Sequence, residues 1–77
     1  MGHKILIVDD ERDLVASLER LLSRRGYECL VAYMGGHGIE LINEHHPDVV
    51  LTDLYLPDVD GFSVLRHARE HAAPPRG

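Results

Sequence analysis

A single cysteine, Cys29, stands among 77 residues, so no internal disulfide can brace this chain. Set among apolar neighbours, it is expected to be a small buried hydrophobe in a reducing compartment, which implies a cytoplasmic setting. No basic run is longer than Arg24-Arg25 and the formal charge is −5. Nucleic-acid binding needs a phosphate-neutralising stripe, and its absence argues against a direct nucleic-acid partner. No apolar run approaches the ~20 residues that span a bilayer and no signal peptide precedes the first apolar run, so no membrane role is expected. Gly2 follows Met1, yet Leu6 occupies the position where a myristoylation signal needs Ser or Thr. What remains is ordinary globular usage, 44% apolar and 27% charged, in a chain long enough for one small domain with a modest core.

The first apolar run, KILIVDD, is short, rich in β-branched residues and closed by two acids, the pattern of a strand buried on both faces. ERDLVASLERLLSRRGY then places Leu14, Leu18, Leu21 and Leu22 on one helical face. Asp10 lies where an N-cap is useful, Arg24 and Arg25 lie where cations suit the helix dipole, and Gly26 fits the C′ position. ECLVAYM reads as a second strand and GIELINEHH as a short second helix stopped by Pro47. DVVLTD reads as a third strand ending in an acid, and FSVLRHAREH as a third helix that offers Phe62, Val64, Leu65 and Ala68 for burial. The order βαβαβα implies an α/β fold: a parallel sheet with right-handed crossovers and flanking helices.

In open parallel sheets, ligands bind outside the carboxyl ends of the strands. Two strands here end in acid: Asp9 and Asp10 after the first, Asp53 after the third. Were those strands neighbours, roughly 4.8 Å apart, their carboxylates would converge. Taken singly, each acid is a cap or turn residue; together, three mutually repelling carboxylates call for a cation. A hard divalent ion suits them. Mg²⁺ takes one or two carboxylates, keeps several waters and bridges to phosphate oxygens, which points to phosphoryl transfer. Asp53 is the candidate nucleophile, with Asp10 and Asp9 as metal ligands and the backbone carbonyl of Tyr55 completing the coordination.

KILIVDDE, PDVVLTD and LPDVDG together resemble the first strand and acidic pair, the phosphoacceptor strand and the following Pro-x-x-x-Gly loop of receiver domains of two-component response regulators. The resemblance covers nearly the whole chain. It implies a flavodoxin-like sheet whose first strands run in the order 2-1-3, phosphorylation of Asp53, and Mg²⁺ held at Asp9, Asp10 and Asp53. Pro57 and Gly61 match the loop positions that shape the turn beside the site. It also implies a histidine kinase or phosphotransfer protein as the phosphoryl donor. Asp58 and Asp60 are then expected to shape and cap the loop entering the third helix.

Only three β/α units of that fold are represented, so residues 1–77 are expected to be the N-terminal part of a receiver, without its fourth and fifth units. With those go the family's Ser or Thr after strand four and its lysine after strand five; Lys4 begins the first strand, at the opposite end of the sheet from the acids. DVVLTD then becomes an open edge, and self-association through that edge, or a swapped dimer, is expected.

Three rival readings are weaker. GGHGIEL has Leu41 where a dinucleotide-binding motif needs its third glycine, and is read as a loop and helix start. LPDVDG aligns Asp58, Asp60 and Gly61 with a calcium loop but puts Leu56 and His67 at ligand positions. His67 and His71 lie four residues apart on a face expected to be exposed, a spacing that permits incidental metal binding. Two alternatives to a phosphoacceptor remain: a phosphorylation-independent dimerisation or interaction unit, and a Mg²⁺ phosphohydrolase. The phosphohydrolase ranks last because such enzymes commonly place a second acid where Tyr55 stands.

Overall fold

The computed structural model describes residues 3–70. β1 (Lys4–Val8) lies at the centre of the sheet, between β2 (Glu28–Ala32) and β3 (Val49–Thr52), and both pairings are parallel. The order 2-1-3 is the expected one. The uninterrupted apolar run of β1 follows from its place, because both of its faces are covered. Leu6 and Val8 join Ala32, Ile42 and Val64 on one side, and Ile5 and Ile7 join Val15 on the other. α2 (Gly35–His45) and α3 (Gly61–Glu70) pack on the first face, and α1 (Arg12–Arg24) packs chiefly on β2 at the second.

α1 ends as its sequence specifies. Gly26 adopts φ +90°, the Gly26 N–H donates to the Ser23 carbonyl and the Tyr27 N–H donates to the Leu22 carbonyl, which is the Schellman closure. Its start differs from expectation: Glu11, not Asp10, is the N-cap residue, and no side chain caps the helix there. Asp10 is drawn instead into the acid cluster described below. The expected apolar face is also rotated. Val15 is buried with Leu18 and Leu22 beside it, whereas Leu14 and Leu21 are 42% and 51% exposed. Periodicity defines a stripe, but only the position of α1 over β2 decides which edge of that stripe is covered.

α2 begins at Gly35, three residues before the Gly38 start expected, so residues 35–37, read as the loop leading into the helix, form its first turn. It ends at His46, which takes a left-handed conformation at φ 49° immediately before Pro47. On α3, Val64 is buried and Ala68 packs against the core, but Phe62 is 62% exposed and Leu65 is also exposed, contrary to the burial expected of both. Cys29 is half-buried rather than buried. Its thiol lies 3.8 Å from the Glu19 carbonyl and receives the Ser23 hydroxyl at 3.7 Å. His67 is not on an open face: its Nε2 lies 2.7 Å from Asn43 Oδ1, joining α3 to α2. His71 lies outside the described residues. Among the described residues, no helix is long and apolar enough to cross a membrane.

Candidate phosphoacceptor site

Strand register brings the acids together. Val8 pairs with Thr52, so Asp9 and Asp53 are the next residues along two adjacent strands. Both backbones stay pinned one step past the strand ends: the Asp53 N–H donates to the Val8 carbonyl at 2.9 Å and the Asp9 N–H donates to the Ala32 carbonyl at 3.1 Å. One oxygen each from Asp9, Asp10 and Asp53 lies within 4.8 Å of the others. The convergence expected from two acid-terminated strands is therefore present.

Each strand-end acid is aimed by its own backbone. Asp9 Oδ1 accepts the N–H of Glu11 at 2.9 Å, and Asp53 Oδ1 accepts the N–H of Tyr55 at 3.1 Å. Both are Asx turns, in which a short carboxylate satisfies the amide two residues on. In each residue the second oxygen is left without a hydrogen-bond partner among the described residues, as is the whole carboxylate of exposed Asp10. Unpaired oxygens of like charge this close are a poor arrangement for the protein alone and a good one around a small hard cation. Oxygens on opposite sides of a Mg²⁺ stand ~4.2 Å apart, so the all-oxygen donor set fits that ion, and oxygens within 4.8 Å of one another need close by no more than about half an ångström to hold it. Tyr55 contributes only backbone here, its side chain being 87% exposed.

Lys4 lies at the far end of β1, where its ammonium donates to the His45 carbonyl at 3.5 Å, so it is not available to the acids. Arg12, at the start of α1, is stacked 3.9 Å over the Tyr33 ring. Beside the acids lies a groove whose lining includes Asp9, Glu11 and Asp53 together with the apolar Ile7, Leu14 and Leu51.

The loop between β3 and α3 is shaped by residues the sequence singled out, though not all in the roles expected. Gly61 is buried, and a Cβ there would run into the backbone of Asp53 and Leu54. Its N–H donates to the Leu54 carbonyl at 3.0 Å, which closes the loop directly behind the phosphoacceptor candidate. Pro57 is exposed in the loop. Asp60 caps α3 as expected, its Oδ1 accepting the Ser63 N–H at 2.8 Å and the Ser63 hydroxyl at 3.1 Å.

Asp58 does not cap α3. Its two oxygens accept the N–H groups of Gly35 and Gly36, each at 2.8 Å, so it caps α2 across 23 and 22 residues of sequence. The sequence held one sign of this: Met34, the N-cap residue of α2, has no side-chain oxygen to offer the first amides. With Asp58 and Asp60 each committed to a helix cap, neither is free for the calcium-loop role.

The Gly36 and Gly35 amides hold the Asp58 carboxyl below the usual carboxylate range, against a small opposing effect of burial. A depressed folded-state value stabilises the fold above the unfolded value, ~3.9, and that stabilisation is lost as pH falls through the folded one. Asp58→Asn is therefore expected to be less stable than wild type at neutral pH. In urea titrations, the gap between them should close as the solution is acidified below about pH 4. A gap that stayed constant with pH would mean that the carboxylate charge is not what holds α2.

A family model of the response regulator receiver domain matches residues 5–76. Among solved structures, a response regulator receiver domain protein from Methanospirillum hungatei superposes with a TM-score of 0.87 at 33% identity, over 91% of this chain and 56% of its own. A two-component response regulator of the LuxR family from Aurantimonas gives 0.78 at 35% identity, over 91% of this chain and 51% of its own. The N-terminal domain of an uncharacterised protein from Wolinella succinogenes gives 0.85 at 34% identity, over 96% and 60%. The chain thus spans between half and two thirds of the structures it matches. With a 2-1-3 parallel sheet, three acids gathered at its carboxyl edge and a family match over nearly its whole length, this chain belongs to the response regulator receiver domain family.

Proposed function

We propose that the chain is a phosphoacceptor module, in which Asp53 takes a phosphoryl group from a histidine kinase or phosphotransfer protein with Mg²⁺ held at Asp9, Asp10 and Asp53. The observation that carries this reading is the state of Asp53. One oxygen is fixed to the Tyr55 amide and the other has no hydrogen-bond partner among the described residues, with the carboxylates of Asp9 and Asp10 close by. A carboxylate held that way presents one lone pair in a defined direction, as an in-line displacement at phosphorus requires. In the transfer, the Asp53 oxygen–phosphorus bond forms as the phosphorus–nitrogen bond to the donor imidazole breaks, and the ring nitrogen keeps the electron pair. A bound Mg²⁺ would offset the charge on the transferring oxygens. The Tyr55 carbonyl belongs to the proposed coordination, since the peptide unit just before it is held at both its Tyr55 N–H, by Asp53, and its Leu54 carbonyl, by Gly61. The module is regulatory: it accepts a group instead of turning over a substrate.

Incubation with acetyl phosphate and MgCl₂ should add one phosphate to the intact mass. Omission of the metal should abolish the increment, as should Asp53→Asn. An unchanged wild-type mass in the presence of both reagents would leave the assembly reading standing in its place.

One observation favours that assembly reading as an addition to the first. β3 is an edge strand with Val49 and Leu51 exposed, and Phe62 and Leu65 are uncovered on α3. Open apolar edges pair. The chain is expected to self-associate through β3, raising its sedimentation coefficient as concentration passes through the micromolar range. Monomers throughout would reject the pairing.

A further inference from the structure

We propose that Asp58 is a positioning residue of the phosphoacceptor site, holding the loop behind Asp53 against the amino terminus of α2. The inference rests on Asp53 being the phosphoacceptor. It is carried by how the loop is fastened. Near its two ends the loop is held by short-range bonds, from Tyr55 to Asp53, from Gly61 to Leu54 and from Ser63 to Asp60. Those bonds set local turns but do not fix the loop to the rest of the fold. Among the described residues, the loop's side-chain hydrogen bonds that reach another element are those of Asp58: both of its oxygens are engaged at 2.8 Å by the amides of Gly35 and Gly36.

Packing reinforces that bond. Leu56 and Val59, on either side of Asp58, pack against the core that contains Ile42 of α2. A Cβ at position 35 would collide with the Val59 side chain, so glycine at 35 is what allows loop and helix to meet. The same helix is also seated on the other half of the site. A Cβ at Gly38 would stand 2.9 Å from Val8, and Val8 is the residue before Asp9. The first turns of α2 thus touch the strand end that delivers Asp9 and, through Asp58, the loop that follows Asp53. Releasing Asp58 would free the loop from this frame while leaving all three site acids in the chain. Charged acceptors at helix amides are among the stronger hydrogen bonds, and residues that orient a metal's ligands affect its affinity without touching it.

The test uses the chain with Asp58→Ala, Asp58→Asn and, as a core control on the opposite face of the sheet, Ile5→Val. Amide hydrogen exchange of Tyr55 and Gly61, Mg²⁺ affinity followed by amide chemical shifts, and the rate of phosphorylation by acetyl phosphate are measured on each. Asp58→Ala is expected to speed exchange at Tyr55 at least about ten-fold relative to residues of β1. It should also weaken Mg²⁺ binding about ten-fold. Asp58→Asn keeps one acceptor oxygen and should return both to within about three-fold of wild type. Ile5→Val should lower global stability and leave the ratio of Tyr55 to β1 exchange and the Mg²⁺ affinity where they were. If Asp58→Ala quickens exchange at Gly35 and Gly36 alone, with Tyr55 and Mg²⁺ affinity unmoved, Asp58 is a helix cap and nothing more. Should the alanine variant fail to fold in buffer, it is measured in a stabilising osmolyte such as trimethylamine oxide, and the same ratio of Tyr55 to β1 exchange decides: a rise of about ten-fold upholds the role and an unchanged ratio overturns it. The two readings fail separately. Absence of phosphate uptake by wild type overturns the phosphoacceptor function, whereas the Tyr55 amide judges the role of Asp58 whether or not the chain is phosphorylated.

Discussion

Asp53→Asn is expected to lose phosphate uptake by at least about 10⁴-fold, the scale seen when a nucleophile is removed from a site otherwise intact. The fold should survive, because an asparagine oxygen can still accept the Tyr55 amide that now bonds Asp53 Oδ1 at 3.1 Å. What disappears is the anionic oxygen facing Asp9 and Asp10, and a neutral amide has no comparable lone pair for phosphorus. Asp10→Asn should be milder, roughly 100-fold at subsaturating Mg²⁺, because it weakens the metal and leaves the nucleophile in place. Stability should move the other way. Two unit charges 4 Å apart interact with an energy on the order of 1 kcal/mol in a water-like medium. Removing one of three clustered carboxylates lifts two such repulsions and should therefore stabilise the metal-free chain by about 1–2 kcal/mol. Added Mg²⁺ should reverse the order, stabilising wild type most and Asp53→Asn least. A variant that gains stability without metal and loses both metal response and phosphate uptake identifies a functional acid. A variant that merely loses stability identifies a structural one. Phosphate uptake by Asp53→Asn at the wild-type rate would move the acceptor elsewhere in the chain.

The parts of this site that were legible in the sequence are those set by a few consecutive residues. β1 is readable because one run of apolar side chains must satisfy two covers, and the structure supplies both. Asp9, Asp10 and Asp53 are readable because strand ends in a parallel sheet all leave at the same edge, which Val8 opposite Thr52 makes concrete. Gly26 is readable because helix closure is local. The misreadings share one cause, dependence on where an element sits. Leu14 and Leu21 belong to the apolar stripe of α1, yet α1 lies over β2 and leaves that side open. Phe62 and Leu65 face away from the core that holds Val64. Asp58 looks like a turn residue for the helix that follows, and its amide partners belong to a helix more than twenty residues earlier. No local pattern distinguishes those two uses of an aspartate. Only the absence of a capping side chain at Met34 hinted that α2 takes its cap from a distance.

Gly61→Ala should be the most damaging single-methyl change in the chain, costing about 3 kcal/mol or more. For a chain of this length total stability is on the order of 4–11 kcal/mol, so the variant should be partly unfolded at moderate temperature. The reason is not backbone conformation, since among the described residues the glycine with positive φ is Gly26. It is proximity: the new methyl would meet the Asp53 carbonyl and the Leu54 Cα, which are main chain and cannot rotate away. Gly26→Ala provides the contrast, with φ +90° but nothing within 4 Å of the added carbon. It should cost only the ~1 kcal/mol of a left-handed alanine. Denaturant midpoints of the two variants separate these mechanisms. Position carries a second consequence, because the backbone that must yield to the added methyl is that of Asp53, the proposed phosphoacceptor, and its neighbour. Even in the cold, where both variants remain folded, Gly61→Ala should bind Mg²⁺ more weakly and accept phosphate more slowly than wild type, whereas Gly26→Ala should match wild type in both. Equal midpoints for the two variants would mean that the loop can open at Gly61 without strain. The close fit of α3 against the strand end would then have no part in aiming Asp53.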